Sequence, residues 1–271
     1  MATDIAAPAR KPLILVSNDD GITAPGIRNL IEVASRIGDV VVVAPDGPQS
    51  GMGHAITIGN TLRLRPVDIF GPAIRAYECS GTPADCVKLA KREVLGGQAP
   101  DLVVSGINHG SNSSISVLYS GTMSAALEAG IEGIPAIGFS LCDYGHDADF
   151  SHTLTHIEHV IRQAVTHGIP AGVTLNVNFP PIGRGPVRGI KVCRQARAKW
   201  QEEFDKRYDP RGQEYYWMVG KFVNMDRGED TDEWALANGY ASLVPCTYDL
   251  TAYAAMPTLN AEWDLPHTPN A

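Results

Sequence analysis

The sequence predicts a doubly wound, Rossmann-like α/β fold on a mostly parallel sheet, followed by a C-terminal extension. Three observations carry this. Short unbroken apolar runs, such as Leu13-Ile14-Leu15-Val16 and Val40-Val41-Val42-Val43-Ala44, suit strands buried on both faces. Helical spacing separates them, as at Ile27, Leu30, Ile31, Ala34 and Ile37. The alternation of strand and helix then continues to about residue 193, which implies helices on both faces of one sheet.

The elements follow in order. Residues 13–16 form a strand, 25–37 a helix ended by Gly38, and 40–44 a second strand. This unit predicts a right-handed crossover between parallel neighbours. Residues 56–64 alternate and read as an exposed hairpin or edge. A short strand at 76–79 precedes a helix at 85–95, opened by Thr82-Pro83 and closed by Gly96-Gly97. A buried strand at 102–105 leads to a small-residue helix at 120–130, with Met123, Ala126 and Leu127 on one side. A strand at 135–140, an amphipathic helix at 154–167 and a strand at 173–178 stopped by Pro180-Pro181 continue the pattern. Residues 190–193 still read as sheet.

Beyond residue 193 the chain becomes rich in charged and aromatic residues, among them Trp200, Phe204, Tyr208, Tyr215, Tyr216 and Trp217. Residues 214–223 read as part of a hairpin arm, 232–238 as a helix stopped at Gly239, and 241–245 as a strand. The organisation expected is a loose tail over 1–12, a catalytic core over 13–193, and an extension over 194–271. The extension is read as an oligomerisation arm, because exposed aromatic surface tends to be covered by a partner.

Composition narrows the function. The 271 residues can bury a full core. A formal net charge of −8 argues against nonspecific wrapping of nucleic acid, but leaves room for a local anion site. No apolar run approaches the roughly 20 residues that span a bilayer. The first twelve residues are rich in Ala and Pro and lack the apolar core of a signal peptide. The five cysteines are odd in number and widely spaced, with no CxxC, which fits reduced thiols in a cytoplasm.

In open parallel sheets ligands bind beyond the C-terminal ends of the strands. Polar clusters collect there: Ser17-Asn18-Asp19-Asp20-Gly21, Pro45-Asp46 with Gln49-Ser50-Gly51, Ser80-Gly81-Thr82-Pro83, and Gly106-Ile107-Asn108-His109-Gly110. Adjacent aspartates after a buried strand repel each other, and a cation is the natural compensation. Oxygen donors favour a hard ion such as Mg²⁺, Mn²⁺ or Ca²⁺ over zinc, with Mg²⁺ or Mn²⁺ expected first. Asp19 and Asp20 could instead cap the next helix, but capping needs one such residue and Asn18-Asp19-Asp20 supplies three. Ser50 could bring a hydroxyl to the ion, though its loop alone is weak evidence. Asn108 is stronger, since it ends a buried strand. His54 and His109 are candidate acids or bases, though a plain loop histidine is the better reading of each.

Tyr119-Ser120-Gly121-Thr122 precedes a helix, and free N–H groups at helix N-termini attract phosphate. Ser120 and Thr122 add hydroxyls, and Asn112 lies near enough in sequence to donate to the same anion. The motifs GxGxxG, GxxxxGK[ST] and GxSxG are missing at the relevant places. The adjacent aspartates also lack the spacing of an aspartyl-phosphate enzyme. Attack on phosphorus by a metal-activated water fits better.

These motifs, in their order and spacing, resemble the survival protein SurE family of 5′-nucleotidases. The likeness runs from Ile14-Leu15-Val16-Ser17-Asn18-Asp19-Asp20-Gly21 through Ser80-Gly81-Thr82-Pro83-Ala84-Asp85 and Ser105-Gly106-Ile107-Asn108 to Tyr119-Ser120-Gly121-Thr122. It resumes at Gly239-Tyr240-Ala241-Ser242-Leu243-Val244-Pro245. The resemblance implies one divalent metal on Asp19, Asp20, Ser50 and Asn108, and a phosphate pocket of Asn112, Ser120, Gly121 and Thr122. Asp19 would be catalytic, and Asn18 would position phosphate or water. It implies nucleoside 5′-monophosphates as substrates, with 3′-monophosphates and short polyphosphate as further ones, and a homodimer or homotetramer with exchanged C-terminal arms. One departure is Ser114, where the family often has glycine. The competing expectation is a nucleotide-binding regulator that keeps the site without turnover.

Overall fold

The computed structural model describes residues 10–264 apart from residue 146. The tail expected over residues 1–12 lies outside the described residues as far as residue 9. At its described end Arg10 donates two hydrogen bonds to the Asp101 carboxylate, at 2.8 and 2.7 Å, so the chain is tied down just before the first strand.

Among the described residues the core is a nine-stranded sheet in the order β3-β4-β2-β1-β5-β6-β7-β11-β8. Its strands are β1 (Leu13–Ser17), β2 (Asp39–Pro45), β3 (Leu64–Val67), β4 (Arg75–Cys79), β5 (Leu102–His109), β6 (Ala136–Leu141), β7 (Val173–Phe179), β8 (Ile190–Val192) and β11 (Ala241–Thr247). From β4 to β7 every neighbouring pair is parallel. β3 and β11 run antiparallel to β4 and β7. The chain leaves β1 toward β2 on one side and returns to β5 on the other, so β1 and β5 flank the topological switch point.

Side chains of β1 alternate between two apolar layers. Ile14 and Val16 face helices α1 (Pro25–Ser35) and α4 (Leu154–His167). Leu15 faces α2 (Pro83–Leu89) and α3 (Gly121–Ile131). α4 buries Ile157, Val160, Ile161 and Ala164, the one-sided stripe of an amphipathic helix. α3 instead buries small residues on most of its surface, which lets it lie close to β5 and β6.

Two expectations are corrected. Residues 56–63 form neither hairpin nor strand; the edge strand is β3, which begins at Leu64. Thr57 there is anchored to the Asp85 carboxylate through its amide and hydroxyl. The helix expected at 85–95 is α2, with a Thr82–Asp85 capping box, followed by a wider helical turn over Ala90–Val94.

The stretch from residue 194 onward contains two kinds of element. β9 (Ala198–Tyr208) and β10 (Glu214–Asn224) pair only with each other, as a long antiparallel hairpin. Helix α5 (Asp232–Ala237) and β11 then return to the main sheet, where β11 sits between β7 and β8. A short helix α6 (Met256–Glu262) follows, with no buried residue.

Asp232 fastens this return. It is 1% exposed, and its carboxylate accepts from the amides of Ser114 at 2.7 Å, Ala196 at 2.9 Å and Glu233 at 2.8 Å. Ser114 has φ +51°, a left-handed conformation that glycine adopts with less strain. Its amide contact to Asp232 and its hydroxyl bond to Ala196 O, at 2.8 Å, hold it there. Asp232→Ala would leave three amides without their carboxylate and lower the unfolding free energy by about 3 kcal/mol or more, measurable by urea denaturation. An unchanged midpoint would refute this role.

Candidate active site

The polar ends of β1 and β5 meet the N-terminus of α3 in a cleft of about 240 Å³. Asp19, Ser50, Asn108, Asn112 and Ser120 all line it. The sequence therefore grouped five residues that the fold does bring together. Asp20 lines an adjoining cleft with Pro25 and Phe150. His109 lines both, and its amide donates to the Asp20 carboxylate at 3.1 Å.

Neither aspartate caps α1. That helix has Ala24 at its N-cap and no side-chain cap bond. Asp19 is 4% exposed; it accepts a 2.5 Å hydrogen bond from the Thr122 hydroxyl. Helix α3 can come this close because its first residue is Gly121, where an added Cβ would lie 2.6 Å from the Asp19 Cβ. Burial first, and the neighbouring Asp20 second, raise the Asp19 carboxyl to about 6, against the pull of the Thr122 bond. Burial also raises Asp20, partly offset by the His109 amide.

Three assignments change in detail. Asn18 is fully buried, and its amide donates to Gly21 O at 2.9 Å; it shapes the turn and does not line the cleft. Thr122 spends its hydroxyl on Asp19 and is fully buried. Asn112 lines the cleft, but its side-chain amide donates to Ser140 Oγ at 2.8 Å. At the helix start Ser120 accepts from the Met123 amide at 3.0 Å, which leaves its hydroxyl proton to donate. The amides of Gly121 and Thr122 lie in the first turn, where the helix offers no acceptor. Groups of this kind at a helix start can receive an anion.

The donor set fits a hard divalent ion. Asp19, Ser50 and Asn108 present oxygen to one cleft, with Asp20 next to Asp19 in the chain. Asn108 donates through its side-chain nitrogen to Gly110 O at 2.8 Å, so its amide oxygen is the end left for a cation. Among the described residues lining the cleft there is no lysine or arginine.

His54 points elsewhere. Its Nε2 meets the Glu128 carboxylate at 2.9 Å, and Lys88 donates to the other Glu128 oxygen at 2.5 Å. Burial pushes the Glu128 carboxyl up, but the bonds from His54 and Lys88 outweigh it and hold the group below its ordinary value. His54 does not line the acidic cleft, so it is removed as a candidate acid there. It pins the Ser50 loop instead, together with Gln49 N to Asp19 O at 2.7 Å and Gly53 N to Tyr119 O at 3.2 Å. Sequence reading missed this pin, the Thr122 support of Asp19, and two aromatic residues of the cleft, Tyr144 and Trp200.

Fold and site together define a doubly wound α/β protein with a cleft at its topological switch point that is lined by Asp19 and the start of α3. The model of survival protein SurE matches residues 14–202. A protein of Cytophaga hutchinsonii named 5′-nucleotidase SurE is 68% identical over 95% of this chain and 99% of its own. One of Phocaeicola vulgatus with the same name is 44% identical over 94% and 98%. The crystal structure of a SurE protein from Aquifex aeolicus superposes with a TM-score of 0.79 at 39% identity, covering 92% of this chain and 99% of that one. The chain belongs to the survival protein SurE family.

Two outcomes follow from the geometry. Raising the Asp19 carboxyl from 3.8 to about 6 costs the folded, metal-free protein about 3 kcal/mol at pH 7. The cost is absent below the unfolded value, builds as pH rises from there to the folded value, and is complete above it. Asp19→Asn keeps the Thr122 bond and removes the charge, so in chelator at pH 7.5 it should melt higher than the parent, and at pH 4 nearly equally. A lower melting point at pH 7.5 would contradict the burial argument. Separately, Glu128→Gln weakens the pin on the Ser50 loop and should lower activity while leaving circular dichroism unchanged; full activity would remove the pin from the account.

Proposed function

We propose that this chain is a divalent-metal-dependent 5′-nucleotidase that hydrolyses nucleoside 5′-monophosphates to nucleoside and phosphate. The observation that carries the reading is the shared cleft. Asp19 and a free helix N-terminus face the same space, Asp20 borders the adjoining cleft, and no lysine or arginine is among the described residues that line the Asp19 cleft. A phosphate dianion drawn to the helix would meet Asp19 at close range, and Coulomb repulsion forbids that unless a cation lies between them. The names of the relatives supply the nucleotide.

Asp19, Asp20, Ser50 and Asn108 would hold Mg²⁺ or Mn²⁺, which when bound polarises phosphoryl oxygen and lowers the pKa of water. The chain's own residues do the rest. The Thr122 hydroxyl fixes the orientation of the Asp19 carboxylate. The Ser120 hydroxyl and the first-turn amides of α3 hold the phosphate oxygens and meet the negative charge that builds in the transition state. The Ser50 loop, pinned on both sides, closes one edge. 3′-Monophosphates and short polyphosphates present the same terminal phosphoryl group and would be secondary substrates.

The hairpin β9–β10 carries Phe204, Tyr208, Tyr216 and Trp217, each more than half exposed, on a ribbon outside the main sheet. This supports a homo-oligomer in which the arm is covered by another copy. No described helix is long and apolar enough to cross a membrane, and the five cysteines are free, which supports a reducing compartment such as the cytoplasm.

Purified protein should release phosphate from AMP with Mg²⁺ or Mn²⁺ and stop when EDTA is added. Thr122→Val should lower metal affinity or activity about 10–100-fold, the usual effect of removing a group that orients a metal ligand. Activity that survives EDTA and dialysis would reject the metal. Light scattering should return two or four times the 29.0 kDa chain mass; a monomer would reject the role of the arm.

A further inference from the structure

The acidic cleft does not end at the phosphate site. Ser111, Ser116, Tyr144 and Trp200 line it and also line a second recess of about 310 Å³ on its far side. That volume lies at the lower end of the range for small-molecule pockets. The recess is formed where the ends of β6 and β7 meet the base of the β9–β10 hairpin and helix α5, through Cys142, Pro180, Phe222 and Glu233. Nothing in the phosphate chemistry uses it.

Its walls are aromatic and held in place. Trp200 donates from its indole nitrogen to Ser116 Oγ at 3.3 Å and packs edge-on against its cross-strand neighbour Phe222, with ring centroids 5.5 Å apart. Tyr144 is 65% exposed, and its hydroxyl accepts from the Ser111 amide at 3.2 Å. The Tyr144 ring lies over Gly110, where an added Cβ would come within 2.7 Å of it. Gly110 follows Asn108 by two residues, so one aromatic wall stands directly beside the proposed metal ligand. Deeper in, the pocket has a hydrogen-bonding floor. The Glu233 carboxylate accepts from Ser113 Oγ at 2.5 Å, and Arg184 donates to Ala237 O at 2.9 Å. Each keeps further capacity to accept or donate.

We propose that this recess is the nucleobase subsite, with the base stacked on Trp200 and its polar edge toward Glu233 and Arg184, while the phosphate sits at the start of α3. The proposal rests on the nucleotidase reading and deepens it. The occupant is the base of the substrate itself, because the recess opens into the phosphate cleft through shared residues and flat aromatic walls suit a flat heteroaromatic ring. The ribose then spans the mouth between Tyr144 and Ser116. This explains how a site that recognises only a phosphoryl group by its oxygens could prefer nucleotides over other phosphate esters.

The test is a specificity ratio, kcat/KM for AMP divided by kcat/KM for ribose 5-phosphate. Trp200→Ala should lower this ratio about ten- to a hundredfold, the usual loss on removing one base–aromatic stack. The change should fall mainly on KM, and Trp200→Phe should restore most of the ratio. An unchanged ratio, or equal loss on both substrates, would overturn the subsite. A second measurement needs no variant: adenosine should inhibit AMP hydrolysis competitively, and ribose at the same concentration should not. Absence of inhibition by adenosine would likewise overturn it. Hydrolysis of ribose 5-phosphate with no hydrolysis of AMP overturns the subsite and leaves the phosphatase site standing, whereas no hydrolysis of either ester rejects the nucleotidase reading itself.

Discussion

Two carboxylates, Asp19 and Asp20, are fixed side by side just beyond the end of β1, at the switch point of the sheet, and the protein supplies no lysine or arginine among the described residues lining the Asp19 cleft. Burial and mutual repulsion raise the Asp19 carboxyl to about 6, so the folded chain holds a charge it would be more stable without. A buried charge of this kind persists where a ligand needs it. Much of the surrounding architecture serves to hold that arrangement. β1 places the pair at the switch point, the Asn18 side chain closes the turn on Gly21, and Thr122 supports Asp19 from the facing helix.

Helix α3 connects most of the remaining parts. Its small residues let it pack closely on β5 and β6, and Gly121 lets its N-terminus touch Asp19. The same end carries the free amides and the Ser120 hydroxyl that attract an anion. About two turns further along, Glu128 receives His54 and Lys88, which ties the Ser50 loop and helix α2 to the same rigid body. The proposed cation ligands and anion donors are thereby set relative to one another by one short helix, and charge placed between them would meet groups that need no rearrangement.

The C-terminal third completes the cleft from the far side. Asp232 joins the Ser114 turn to the root of the hairpin, and that root delivers Trp200 and Phe222 to the recess beside the phosphate site. The strained Ser114 is explained by this junction: a serine tolerates the left-handed backbone because its amide and hydroxyl are both bonded. The hairpin that supplies one wall of the recess also carries the exposed aromatic surface, so the proposed base subsite and the proposed contact with another copy share an element.

The sequence by itself determined the sheet, its helices and the main candidates at its switch point. Apolar runs of fixed length can only be strands or buried helices, and polar clusters after such runs must fall at one edge of a parallel sheet; Asp19, Ser50 and Asn108 were legible for that reason, and Ser120 and Asn112 from the helix start that follows. Membership of the family was legible in five ordered motifs. Tertiary structure alone decided what each polar atom faces. That Thr122 serves Asp19, that Asn18 is buried in its turn, and that His54 belongs to Glu128 are matters of side-chain direction, which spacing does not encode. The edge strand moved to Leu64 because an alternating pattern on an exposed edge has no buried face to fix its register. Trp200 was illegible as part of the cleft because it lies far from Asp19 in the chain and only the root of the β9–β10 hairpin brings it there; Tyr144 was illegible because it lies in the loop beyond β6, where no motif marks it.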